Sequence, residues 1–411
     1  MSDYSTHAPA SKISSLEFTV LVAVLMSVVA ISIDALLPAL DFIRAEVPMS
    51  HPNQAQLLIS SLFLGMAAGQ LICGPLSDAT GRKPVLYGGI ALYLAGTVFC
   101  YFAQSIEGLL LGRIIQGLGV SGPYVSAISI VRDKYAGNEM ARVMSLVMLI
   151  FILVPAIAPS LGQGILYIAD WRAIFLMYLG YALLIGGWIH WRLDETLPKA
   201  NRIPMTVSGF KAGFAEVVSN GPTLCYTLCM GLFFGSFIGY LNSSQQIFQQ
   251  QFGTGEAFTL YFGLLALVFG GASLVNAKFV QRFGMELLCR RAVLAILVLS
   301  AAFLALHAAV QIELWMFLLY ASGLFFCFGL VFGNVNAMAM EPMGHVAGIA
   351  SAVIGATSSL LSLTIGTYIG QQYNGSLIPV TSGFLVLGSI CLGLLYLAAR
   401  LKAQETAATA S

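Results

Sequence analysis

Long apolar runs alternate with short clusters of charge and turn residues along the whole chain. They predict spanning helices near residues 17–40, 54–76, 85–104, 107–131, 140–168 and 172–191. A polar stretch from Leu193 to Asn220 follows, and six more runs lie near 221–245, 256–280, 291–311, 313–339, 346–371 and 379–400. Each run supplies the roughly 20 residues that a helix needs to cross a bilayer. The expected fold is an all-α integral membrane protein: twelve transmembrane helices in two six-helix bundles, residues 1–192 and 221–411, joined by a linker at 193–220. The linker holds Asp194, Glu195, Lys199, Arg202, Lys211 and Glu216 with Pro198 and Pro204, and has room for a short amphipathic helix on the membrane surface.

Composition narrows the function classes. Of 411 residues, 58% are apolar and 9% charged, against roughly 25% charged in a soluble domain, so lipid is the main solvent. A net charge of +1 lacks the basic excess that nucleic-acid binding needs. With both termini cytoplasmic, the inner loops and tails collect 16 of the 19 Lys and Arg residues, including Arg82, Lys83, Arg132, Arg192, Arg290 and Arg291. The outer side receives Arg44 and Arg172, and Arg113 remains within the fourth span. The first 16 residues lack the basic start and short apolar core of a cleaved signal, so the first span is expected to be retained. The seven cysteines fall in spans or on the cytoplasmic side and suggest no disulfide framework. Cys225 and Cys229 share a helix face but lack the further ligands of a metal site. No cofactor is implied.

Asp34 stands alone in TVLVAVLMSVVAISIDALLPAL, with no other charge between Glu17 and Asp41. A carboxylate deep in a span costs about 2.5 to 3.5 kcal/mol on insertion scales, so it faces a polar interior and is a functional candidate by default. It can bind and release protons as its surroundings alternate between water and closed protein. The alternative is a fixed structural partner for an arginine. Arg113, in EGLLLGRIIQGLG, lies at a matching depth and could pair with it. Arg113 could equally satisfy backbone carbonyls or hold two helices together.

Two further motifs carry structure. GPLSDATGRKP places Gly74, Asp78, Gly81, Arg82 and Lys83 at a tight turn after the second span. Asp78 could sit at a helix amino terminus and Arg82 could pair with Asp133. Such a cluster would latch one arrangement of helices and release in another. In the fifth span, LVPAIAPSLGQGI carries Pro155 and Pro159 to bend the helix, and Gly162 and Gly164 to admit another backbone.

Together these segments resemble the major facilitator superfamily, and more narrowly its drug:proton antiporters of the bicyclomycin and chloramphenicol resistance type. The resemblance covers nearly the whole chain. It rests on SIDALLPAL, GPLSDATGRKP, RIIQGLG, RDKYAGNEMARVMSLVML, PAIAPSLGQGI, WRAIF followed by DETLP, and NAMAMEPMGHVAGIASAV. It implies the major facilitator fold, with two pseudo-symmetric bundles that rock about a central site. Asp34 would carry the proton, Arg113 would be its electrostatic partner, and Asp78, Arg82 and Asp133 would form a cytoplasmic charge cluster near the start of the eleventh span. The inward proton gradient would drive a small, drug-like molecule outward through the inner membrane, by a monomer whose only other partner is lipid.

The chain departs from that pattern in places. The fifth-span motif ends Gly162-Gln163-Gly164 where relatives more often have adjacent glycines, and the second-half counterpart of the loop motif, NAKFVQRFG, keeps only Arg282 and Gly284. The seventh span reads FIGYLNSSQQIFQQQFG, a polar patch that suits either a hydrophilic substrate or a solvated helix end. Tyr124 and Asn242 are candidate substrate contacts, and Asn276, His307, Asn334 and Asn336 are further polar groups within spans. The leading expectation is a proton-coupled exporter of drug-like molecules. The alternative is a proton-coupled exporter, or importer, of a polar metabolite with drugs incidental. An enzyme would need a catalytic constellation, which the sequence does not offer.

Overall fold

The computed structural model describes residues 13–135, 137–202 and 207–410. Its elements are helical throughout the described residues, as expected when the backbone must satisfy its own hydrogen bonds in lipid. In order they are α1 (Ser15–Asp34), α2 (Leu40–Glu46), α3 (Leu57–Thr80), α4 (Arg82–Phe102), α5 (Ile106–Lys134), α6 (Gly137–Leu166), α7 (Arg172–Arg192), α8 (Val207–Ser219), α9 (Gly221–Gln245), α10 (Phe258–Phe283), α11 (Met285–Ala309), α12 (Leu314–Met340), α13 (Ala347–Gln371) and α14 (Ile378–Ala410). Eleven stretches among the described residues are long and apolar enough to span a membrane. The remaining expected span is α6, a helix of 30 residues that continues through Pro155 and Pro159.

The last helix runs to Ala410, past the expected end near 400, and two other boundaries differ from the sequence expectation. The first span does not run unbroken from 17 to 40: α1 stops at Asp34 and passes through a 3-10 turn, Leu37–Ala39, into the short α2. Pro38 explains the break, because a proline has no N–H to offer the carbonyl four residues earlier, which is that of Asp34. The seventh span continues beyond α9 as a wider, π-helical segment, Gln246–Gln251. In the linker, the expected amphipathic helix is α8, and it packs on α13 and α9. A Cβ on its Gly213 would meet the side chain of Ile349 at 2.4 Å.

Small residues set how closely the helices approach. On α5, Gly117 lies against the backbone of α3, where a Cβ would stand 2.0 Å from the Leu62 carbonyl. On its other side, Gly119 lies against Tyr93 and Gly89 of α4. Without a hydrophobic driving force between helices in lipid, such close contact is what holds them together. The early helices also touch the late ones, α3 against α13 and α9, and α6 against α10.

Candidate functional site

Asp34 closes α1 with only 4% of its surface exposed. Among the described residues its carboxyl has neither a hydrogen bond nor an ion pair. The chain break beside it is held from α6: a Cβ on Gly162 would stand 1.9 Å from the carbonyl oxygen of Ala35. The fifth-span motif therefore seats its glycine directly on the turn that follows the buried acid. The second glycine of that motif does not take part, because nothing lies within 4 Å of a Cβ on Gly164.

Arg113 is fully buried on α5. The expected ion pair with Asp34 is not made in this conformation. Instead, Arg113 Nε donates to the Leu58 carbonyl at 2.9 Å, Nη2 to the Ser32 carbonyl at 2.8 Å, and Nη1 to Gln116 Oε1 at 2.9 Å. The reason lies in the same chain break. Leu36 N–H bonds to Ile33, as a 3-10 turn requires, so the Ser32 carbonyl loses its helical donor and is free for the guanidinium. Tyr178 of α7 donates to that carbonyl at 3.2 Å, the Ser32 and Tyr93 hydroxyls meet at 2.6 Å, and Gln116 donates to Thr97 at 2.7 Å. Arg113 thus ties α5 to α1 and α3, and its partners carry the network on to α4 and α7; its fork is filled by neutral acceptors while the acid two residues beyond Ser32 stays unpaired.

At the far end of α3, the charge cluster assembles. Gly81 turns the chain with φ of 107°, a conformation that favours glycine. Arg82, 2% exposed, donates from Nε to Asp133 Oδ2 at 2.8 Å, from Nη2 to Asp133 Oδ1 at 3.1 Å, and from Nη1 to Asp78 Oδ1 at 2.6 Å. The bidentate half of this arrangement is the geometry that a guanidinium and a carboxylate share. Among the described residues, Asp78 bonds to Arg82 and does not cap α4. That position belongs to Glu195 of the linker, which accepts from the backbone N–H groups of Arg82 at 2.9 Å and Lys83 at 3.0 Å. Thr196 donates to Asp133 at 2.9 Å, and Lys83 Nζ to the Leu193 carbonyl at 2.7 Å. Gly74, one turn before Asp78, faces Ala352 of α13, with 3.6 Å from a Cβ there to that of Ala352.

The sequence profile described as the Major Facilitator Superfamily matches residues 21–367. The chain belongs to that superfamily. Among its relatives are a bicyclomycin resistance protein homolog of Haemophilus influenzae, 27% identical over 92% of this chain and 95% of the relative, and a chloramphenicol resistance protein of Pseudomonas aeruginosa, 29% identical over 89% and 86%. The multidrug resistance protein MdtL of Escherichia coli is 31% identical over 79% of this chain and 80% of its own length. The fold is that of solved superfamily members: the human organic anion transporter MFSD10 (TETRAN) matches with a TM-score of 0.69 at 16% identity, covering 94% of this chain and 100% of that one. The Escherichia coli xylose transporter XylE, in a partially occluded inward-open conformation, matches with 0.67 at 13% identity, covering 93% and 97%. The protein is a multi-pass membrane transporter of a small molecule, not an enzyme.

Within this superfamily fold the two candidate substrate contacts part ways. Tyr124 lies half-buried on α5. Asn242 is 1% exposed and donates to Ser60 Oγ at 3.0 Å and to the Gly366 carbonyl at 3.3 Å, so it joins α9 to α3 and α13. The first part of the polar patch, Asn242–Gln246, is buried in helix contacts, whereas Gln250 at its far end is exposed. Asn276 and Asn334 pair reciprocally at 3.2 and 2.8 Å. Sequence reasoning missed Glu195, Thr196 and Gln116. The string DETLP carried the first two in plain sight, but nothing local places a linker carboxylate at a helix start 113 residues earlier.

Proposed function

We propose that this transporter exports small drug-like molecules in exchange for protons by alternating access. Two six-helix bundles, residues 1–192 and 221–411, would rock about a central site, with the linker at 193–220 and both termini on the cytoplasmic side of the inner membrane. Asp34 loads and releases the proton. Arg113 supplies a fixed positive charge on the Ser32 carbonyl, close enough in sequence to the acid to re-pair when the α1 turn shifts. Asp78, Arg82 and Asp133 latch the cytoplasmic ends of α3, α4 and α5.

The observation that carries this reading is the Asp34 carboxyl, buried beside a helix break with no partner among the described residues. An ionised acid in that position is costly, so binding a proton is favourable there and releasing it requires water or a partner. Relatives named for bicyclomycin, chloramphenicol and multidrug resistance support the direction and the substrate class. The polar seventh span, which would favour a hydrophilic metabolite, has its amides engaged in helix contacts, so drug-like substrates are the better reading.

The test is substrate-evoked proton movement in proteoliposomes, with phenicols, bicyclomycin-like compounds, lipophilic cations and small polar metabolites offered in turn. Proton flux tied to a drug-like compound supports the proposal. Flux with polar metabolites alone would transfer the assignment to a metabolite exporter, and substrate flux without protons would remove the coupling.

A further inference from the structure

The membrane face opposite Arg82 is closed by a ladder of amides. Asn242 of α9 donates to Ser60 of α3 at 3.0 Å. One turn along, Gln246 accepts a hydrogen bond from Gln56 and donates to Asn53 Oδ1 at 3.0 Å. Gln56 and Ser60 are four residues apart, as are Asn242 and Gln246, so two helix faces present matching rungs. Asn53 extends the ladder to the end of α13: it donates to the Gln371 and Tyr373 carbonyls, both at 3.1 Å, and Gln371 donates back to the Asn53 carbonyl at 2.8 Å. Beneath the amide rungs the next contact is apolar, Phe63 meeting Phe234 edge-on at 5.9 Å.

Two features separate this ladder from ordinary packing. Every rung joins the early helices to the late ones. In addition, the ladder is imperfectly satisfied: Gln56 Oε1 and Asn242 Oδ1 are buried without a partner among the described residues, on residues that are each 1% exposed. Buried acceptors left unpaired raise the free energy of the closed arrangement, and water would satisfy them. An apolar seam resists wetting, whereas amides exchange one another for water at small net cost.

We infer that this ladder is a reversible gate, closed in the present conformation and parted by water when the transport site turns to that face. The inference rests on the alternating-access reading above. It places on the polar seventh span a conformational role that the substrate readings of that patch did not include.

The experiment needs neither substrate nor proton gradient, so its outcome is separable from failure of the drug or proton assignments. A Phe63→Cys reporter, just beneath the rungs, is labelled in oriented vesicles with a membrane-impermeant maleimide added from the Asn53 face, and the native chain sets the background. Replacing the amides with apolar side chains of similar size, Gln56→Leu and Gln246→Leu, should slow labelling roughly tenfold, because the seam then resists wetting. Unchanged labelling would overturn the gate. Hydrogen–deuterium exchange on the unmodified chain is an independent readout should the variant fold poorly. Segments 53–60 and 242–251 should exchange together and faster than the α5 core at 112–118, and equal protection of all three would overturn the gate as well.

Discussion

The backbone of Gly162 on α6 rests on the carbonyl of Ala35, so close that a Cβ would stand 1.9 Å away. That contact fixes the turn immediately after Asp34. Because the atom in the way is backbone, it cannot swing aside, and Gly162→Ala must displace either α6 or the turn. We expect it to lower stability by about 1 to 3 kcal/mol and to reduce transport sharply. Gly164→Ala, with open space at its Cβ, should leave both unchanged. Thermal unfolding in detergent and a transport assay on the pair check this directly.

Arg113→Lys should be far from conservative. The guanidinium serves Leu58, Ser32 and Gln116 from one plane, and an ammonium cannot reproduce that fork. Leaving one or two buried carbonyls unsatisfied should cost about 1 to 3 kcal/mol each. A lowered melting temperature with normal membrane insertion is the expected result. A lysine variant as stable as the native chain would argue against the hydrogen-bonded role.

The charge cluster makes a graded prediction. Asp133→Asn removes the bidentate partner of a nearly inaccessible Arg82 and should cost about 3 kcal/mol, as expected when one side of a buried pair is lost. Glu195→Ala removes only a helix cap on α4 and should cost about 1 kcal/mol. Melting temperatures of the two variants, measured in the same detergent, should fall in that order.

Much of this was legible in the sequence, and the exceptions share one cause. Asp34 declares itself because a lone carboxylate in an apolar run is costly, and the pairing with an arginine that would make it merely structural is not formed here. The charge cluster is legible through Asp78 and its glycines: a topogenic basic loop would explain Arg82 and Lys83, but not those residues. What could not be read was geometry across distant segments. Matching depth suggested that Arg113 would reach Asp34, but the turn before Pro38 frees the Ser32 carbonyl, and that acceptor takes the arginine first. The amides of the seventh span looked like a substrate wall or a wet helix end because their partners, Asn53, Gln56 and Ser60, lie 182 to 193 residues away. Pro38 was visible in SIDALLPAL, yet a hydropathy run carries no signal for where its helix breaks.

The most direct test of the central claim is proton release on substrate binding, with no transport required. Purified protein in weakly buffered detergent solution is mixed with chloramphenicol, and the pH change is followed in the native chain and in Asp34→Asn. If a second drug-like compound gives the larger flux in proteoliposomes, it replaces chloramphenicol. The account predicts proton release from the native chain that disappears in Asp34→Asn while the compound still binds. Equal release from both proteins would contradict it, because the proton would then reside elsewhere.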